Sequence, residues 1–152
     1  MTKSGKKIVA RNRKARHDYE ILDTWEAGLV LTGTEVKSLR QGTASIAEAY
    51  VRARRDELYL VEAHIPPYSA GNIMNHDETR PRKLLLHRRE IDSIVKQLDR
   101  GGVTCIPLEL YFRDGYAKLK IGLAQRRKKW DKRRKKEREQ YKRDAQREMR
   151  RL

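Results

Sequence analysis

The sequence predicts a mainly β chain: a small β-barrel of the oligonucleotide-binding type with short flanking helices, then a basic C-terminal tail. Three observations lead there. Short apolar runs alternate with Gly, Pro, Asn and Asp at strand-and-turn spacing. One internal segment carries a helical period. The last stretch differs in composition: residues 1–125 hold 22 Lys+Arg against 16 Asp+Glu, and residues 126–152 hold 15 against 5. Of the formal net charge of +16, the tail therefore carries +10.

Taken in order, Tyr19–Asp23 and Gly28–Leu31 read as two strands separated by polar residues and glycine. Gly33–Gly42 begins and ends with glycine, and Val36 and Leu39 lie three apart, so a short helix capped by Thr34 is expected. Ala49–Arg54, a turn near Arg55-Asp56-Glu57, and Leu58–Ile65 read as a hairpin that Pro66-Pro67 ends. Tyr68–Pro81 has no period and reads as an exposed loop. Lys83–His87 leads into a helix over Arg89–Leu98, because Ile91, Ile94, Val95 and Leu98 share one helical face. Gly101-Gly102 stops it. Val103–Phe112, the turn Arg113–Tyr116 and Ala117–Ile121 form the clearest hairpin of the chain. Many short strands around one helix suit a closed or partly closed barrel.

After Gly122 neither Gly nor Pro occurs, so the tail permits a helix. Its apolar stripe is thin, with Tyr141, Ala145 and Met149 four apart, and its like charges repel. The expectation is a body over 1–125 and a tail over 126–152 that is disordered when free and helical against RNA, where phosphates neutralise the repulsion.

Charge narrows the function classes. A pI of about 10.2 points to a polyanionic partner. No window approaches the roughly 20 apolar residues that span a bilayer, and the basic N-terminus precedes no apolar block. Cys105 is the only cysteine, so neither an internal disulfide nor a cysteine-cluster zinc site is expected, in keeping with a cytoplasmic setting. Its strand position predicts burial.

Arg11–His17 carries four cations before the first acid, Asp18, and reads as a phosphate-binding arm in which Asn12 adds a base- or sugar-binding amide. Lys118 and Lys120 alternate with Leu119 and Ile121, so both lysines share a strand face; Lys37 and Arg40 share a helix face. Trp130 has nothing to pack on within its own segment, which suits stacking on a nucleobase. Four histidines invite a metal reading, but none is paired at i, i+4, and no phosphate loop or nucleophile elbow occurs. Glu35 is at most a lone base. A metal-dependent nuclease using His17, Asp18 and Glu35 stands as the enzyme alternative; a tRNA- or rRNA-binding translation factor and a ribosomal protein are the binding alternatives.

Asn12-Arg13-Lys14-Ala15, Tyr19-Glu20-Ile21, Gly33-Thr34-Glu35-Val36-Lys37-Ser38-Leu39-Arg40, Asn75-His76-Asp77, Arg82-Lys83-Leu84-Leu85-Leu86-His87, Gly122-Leu123-Ala124 and Asp131-Lys132-Arg133 occur in that order. In these motifs the chain resembles the small protein B family, the tmRNA-binding (SsrA-binding) proteins of bacterial trans-translation. The resemblance implies a non-catalytic barrel that grips the tRNA-like domain of tmRNA. It implies delivery of tmRNA to stalled ribosomes by a protein that replaces the missing anticodon stem, and tagging of the nascent peptide for degradation. The RNA-facing candidates it suggests, with the basic run, are Asn12, Arg13, Lys14, Arg16, Glu35, Lys37, Lys83, Lys118, Lys120 and Gly122. Lys128, Trp130, Asp131, Lys132 and Arg133 fall in the segment the resemblance assigns to the ribosomal decoding centre and empty mRNA channel. Elongation factor Tu would be met only indirectly, through aminoacyl-tmRNA; the protein itself would be a monomer without cofactor or metal. Two departures stand out: Arg126 occupies a usual glycine position, and Glu78 a usual proline position.

Overall fold

The computed structural model describes residues 5–68, 75–127 and 129–151, and within the last helix the side chains of 136–150. The element order is β1 (Lys7–Arg11), α1 (Ala15–Asp18), β2 (Tyr19–Leu29), α2 (Gly33–Arg40), β3 (Tyr50–Arg54), β4 (Glu57–Val61), β5 (Arg82–Leu85), α3 (Arg88–Arg100), β6 (Thr104–Arg113), β7 (Tyr116–Arg126) and α4 (Lys129–Arg151).

The expected β-barrel is present. Its antiparallel strands run in the order β6-β3-β4-β5-β2-β7, and a further β6–β7 pairing closes the ring. Closure matters because an open edge of unpaired amides would invite other strands. β1 lies along the same edge of β6 as β3, pairing at Glu109–Phe112, while β3 pairs at Cys105. The core fills the ring: Leu58, Leu60, Leu84, Leu110, Leu119 and Ile121 are buried, as is Cys105. Ile91 and Ile94 of α3 and Leu39 of α2 join the same cluster, so the helical stripe read from the sequence is the face that packs. Burial pushes the Cys105 thiol up to about 12.

Both expected hairpins form. Asp114 (φ 52°) and Gly115 (φ 85°) occupy the left-handed region that a tight two-residue turn demands. α3 ends where Gly101 takes φ 80°.

Two expectations need correction. The two strands read at Tyr19–Asp23 and Gly28–Leu31 are one strand, β2, because β7 pairs with it from Arg126 to Lys118, through one register shift between Ile21 and Asp23, and supplies the hydrogen bonds its polar middle would otherwise lack. α2 is capped by Thr32, not Thr34: the Glu35 amide donates to Thr32 Oγ1 (3.4 Å), and the Thr32 amide donates to Glu35 Oε1 (2.8 Å), a reciprocal capping box. The N-terminal run is built into the body: β1 extends to Arg11 and α1 begins at Ala15.

β7 continues to Arg126, and the Arg127 amide donates to the Asp18 carbonyl at 2.9 Å. Beyond it α4 is a helix of 23 residues. Its described side chains are all exposed, including Tyr141 and Met149.

Candidate nucleic-acid interface

The outer face of β2, β7 and β6 is assembled by alternation. Leu119 and Ile121 point into the barrel, so Lys118, Lys120 and Gly122 point out. Lys120 lies between Glu26 of β2 and Glu109 of β6; Lys118 lies between Gly28 and Tyr111. Further along, Ala15, Ile106, Leu108 and Ala124 form a second, smaller apolar cluster with Tyr19 and Ile21 against it. That cluster seats α1 on the outside of the barrel. The register shift between Pro107 and Glu109 offers two carbonyls there, and Asn12 takes both. Its amide donates to Leu108 O (2.9 Å) and its Nδ2 to Pro107 O (3.0 Å). Pinned in this way, Arg11, Arg13 and Arg16 converge with Glu109 and Lys120 around a cleft of about 160 Å³.

Two carboxylates organise the cations. Glu109 accepts from Lys6 Nζ at 3.0 Å and lies 3.7 Å from Arg11 Nε. Partial burial works to raise its pKa, but Lys6, Lys120 and Arg11 outweigh that and hold the carboxyl below its ordinary range. Glu26 accepts from Arg113 Nη1 at 2.5 Å and from the Tyr111 hydroxyl. Burial, then the bond to Glu26, raises the Tyr111 pKa, so that hydroxyl remains a donor. The result is a face on which cations are spaced by a carboxylate lattice rather than left to repel, an arrangement of guanidinium and ammonium groups suited to phosphates.

The predicted residues divide accordingly. Asn12, Arg13, Arg16 and Lys120 meet at this cleft, and Lys14 lines the neighbouring groove on the other side of α1. Lys118 is on the same strand face. Asn12 spends its amide on β6, so its part is to position α1. Glu35 is not at this face: it is fully buried, accepting from Arg80 Nη2 (2.6 Å), Arg80 Nε (3.1 Å) and the equally buried Arg82 Nε (2.7 Å). Burial tends to raise its pKa; Arg80, the Thr32 amide and Arg82 together bring it below the ordinary value. Its function is to hold the 75–82 segment on α2, assisted by His76, whose ring bridges Thr34 Oγ1 (2.9 Å) and Ile65 O (2.8 Å). Gly122 faces out but is covered: a Cβ there would lie 3.0 Å from Leu108 Cδ1 and 3.2 Å from Ile21 Cγ2. It admits the α1 cluster instead of touching a ligand from a bare surface. Lys37 stands on α2 with its ammonium 5.7 Å from the Tyr68 ring centre, and Lys83 is on β5. Lys128 lies outside the described residues, as do the side chains of Trp130, Asp131, Lys132 and Arg133.

Lys6, Glu26, Glu109, Tyr111 and Arg113 were not anticipated at this face. Strand alternation could have placed Glu109 and Tyr111 beside Lys118 and Lys120; the hairpin register was the missing quantity. Among the described residues no group of three or more His, Cys, Asp or Glu is placed to hold a metal ion, and no described helix is long and apolar enough to cross a membrane.

Residues 9–151 match the family described as SmpB protein. The chain belongs to the SmpB family. It is 55% identical to the SsrA-binding protein of Salinispora arenicola over 145 residues, covering 95% of this chain and 89% of that one. It is 51% identical to the SsrA-binding protein of Enterococcus faecalis over 133 residues, with 88% and 86% covered. A chain of the solved structure described as "tmRNA-SmpB: a journey to the center of the bacterial ribosome" is 47% identical, with a TM-score of 0.67 over 79% of this chain and 85% of that one. Membership agrees with the resemblance read from the octapeptide at Gly33 and the hexapeptide at Arg82.

Proposed function

We propose that this SmpB-family chain binds tmRNA (SsrA RNA) and serves trans-translation, gripping the tRNA-like domain with the α1–β7 face. The observation that carries the reading is the convergence of Arg11, Arg13, Arg16 and Lys120 at one cleft on a closed barrel. Membership in a family whose relatives are named SsrA-binding proteins supports the choice of RNA. Arginine forks and lysine ammoniums grip the backbone, and the rigid barrel fixes which stretches of folded RNA reach them together.

In this reading the body delivers tmRNA to a stalled ribosome and stands in for the absent anticodon stem. The tail, residues 126–152, enters the empty mRNA channel, with Lys128, Trp130, Asp131, Lys132 and Arg133 near the decoding centre. The outcome is ribosome rescue and tagging of the nascent peptide. The protein acts in the cytoplasm as a monomer, binds rather than cleaves RNA, and meets elongation factor Tu only through aminoacyl-tmRNA. The helix of α4, with exposed described side chains and a surplus of cations, has little to hold it in water. Helix would accumulate as phosphates neutralise it.

The test is binding of the full chain to the tRNA-like domain of tmRNA, with elongator tRNA as competitor and salt varied. Selective binding that the paired substitutions Lys118→Ala and Lys120→Ala weaken supports the reading. Equal competition by tRNA would make the chain a general RNA binder. A peptide of residues 126–152 should show little helix by circular dichroism in buffer and more on added RNA.

A further inference from the structure

We infer that the outer wall formed by β3, β4 and β5 is a second RNA-binding surface, shaped for an unpaired segment. In the ring, β4 lies three strands from β7 in either direction, so this wall is across the barrel from the β7 lysines. Leu58 and Leu60 point inward, which turns the alternate hairpin residues outward. These are Tyr50, Arg52 and Arg54 on β3 and Glu57 and Tyr59 on β4. Tyr59 pairs with Arg52 on one side and with Lys83 of β5 on the other. Arg52, Arg54, Arg55, Tyr59 and Pro81 line an open cleft of about 530 Å³.

Two features mark this cleft as more than a solvated face. Glu57, the carboxylate opposite Arg54, is occupied by Arg88 at 2.5 Å. Among the described residues no carboxylate pairs with Arg52, Arg54 or Arg55, and the hairpin's remaining acids are Asp56 and Glu62. Unlike the α1 face, these cations have no carboxylate lattice, so their repulsion awaits an anion. The turn is also unusual. Arg55 (φ 52°) and Asp56 (φ 61°) both sit in the left-handed region, where Asn-Gly would close the hairpin without strain. A guanidinium is held at the rim of the cleft at a conformational cost.

The occupant follows from the mixture of groups. Guanidinium forks take phosphates in bidentate fashion, and a tyrosine ring beside them takes the face of an unstacked base. A duplex keeps its bases stacked on each other and would leave Tyr59 unused. This second surface does not depend on which RNA occupies the α1–β7 face.

The experiment uses the full chain already saturated with the tRNA-like domain of tmRNA, and a fluorescent oligouridylate of about 12 nucleotides as probe. The preformed complex should still bind the probe. Combining Arg52→Ala, Arg54→Ala and Arg55→Asn should weaken probe binding about tenfold or more and reduce the log–log salt slope by about 2. Tyr59→Leu should weaken it about fivefold. Neither change should alter affinity for the tRNA-like domain, and the tail, present throughout, contributes equally to every arm. Arg55→Asn alone should not lower the unfolding temperature, which separates lost binding from lost folding. Unchanged probe affinity in the triple variant would overturn the inference, as would displacement of the probe by the tRNA-like domain. Polyglutamate competing as well as RNA would also overturn it, by showing a surface for acidic protein.

Discussion

Replacing Glu35 by alanine should cost this fold about 3–5 kcal/mol, because it removes one partner of a buried ion pair and leaves the other charged. Glu35 and Arg82 are both fully buried. After the substitution Arg82 Nη1 and Nη2 retain the carbonyls of Ala63 (2.8 Å) and Glu78 (2.9 Å), but its Nε–H loses its acceptor and its charge is left unbalanced. The Glu35 half of the capping box, its bond from the Thr32 amide, is lost as well, while the bond from the residue-35 amide to Thr32 Oγ1 remains. Against a domain stability of about 5–15 kcal/mol the loss is a large fraction. Urea unfolding followed by circular dichroism measures it. Replacing Glu35 and Arg82 together by methionine should recover much of the loss, since a buried pair is often no better than an apolar one. The pH dependence has a fixed sign. The folded pKa of Glu35 is depressed, so its contribution is fully present above the ordinary carboxylate range and fades as pH falls through the folded value. In Glu35→Gln that acid-side loss should be smaller. If Glu35→Ala unfolds at the wild-type urea concentration, or if folded Glu35→Gln loses RNA affinity directly, Glu35 is a ligand contact and the packing argument fails.

Other outcomes follow from the same geometry. Gly122→Ala should destabilise by about 1–3 kcal/mol through crowding of Leu108 and Ile21, read as a lower unfolding midpoint. Cys105 should resist a thiol reagent at pH 8 in the native protein and react at the unfolding rate, because the buried thiol does not ionise there. Lys120→Ala should lift the Glu109 pKa toward its ordinary value, a change visible by carboxyl NMR titration, and should weaken binding of the tRNA-like domain. Asn12→Ala should remove the Nδ2 bond to the Pro107 carbonyl while the backbone bond to Leu108 O remains, loosening α1 and lowering RNA affinity without removing a cation.

Local physics makes much of this protein legible in its sequence. The charge partition between body and tail needs only counting. The β3–β4 and β6–β7 hairpins follow from alternation and turn residues, and α3 from four apolar residues on one face and two glycines after it. The sequence reads β2 as two strands because polar residues such as Thr24 and Glu26 interrupt its apolar pattern; only pairing with β7 makes them one strand. Glu35 was misplaced for a related reason. Its neighbours in sequence are a valine, a threonine and a lysine, and nothing nearby shows that Arg80 and Arg82, 45 and 47 residues on, would neutralise it.

Sequence by itself determined the elements whose hydrogen bonds and apolar faces are set within about ten residues, the identity of the family, and a polyanionic partner. The tertiary structure decided which charges are spent on one another and which remain for a ligand. Arg82 and Lys83 are adjacent in the chain, yet strand alternation buries the first against Glu35 and turns the second outward beside Tyr59. Coulomb interactions depend on distance and burial, and ring closure sets both between residues far apart in the chain.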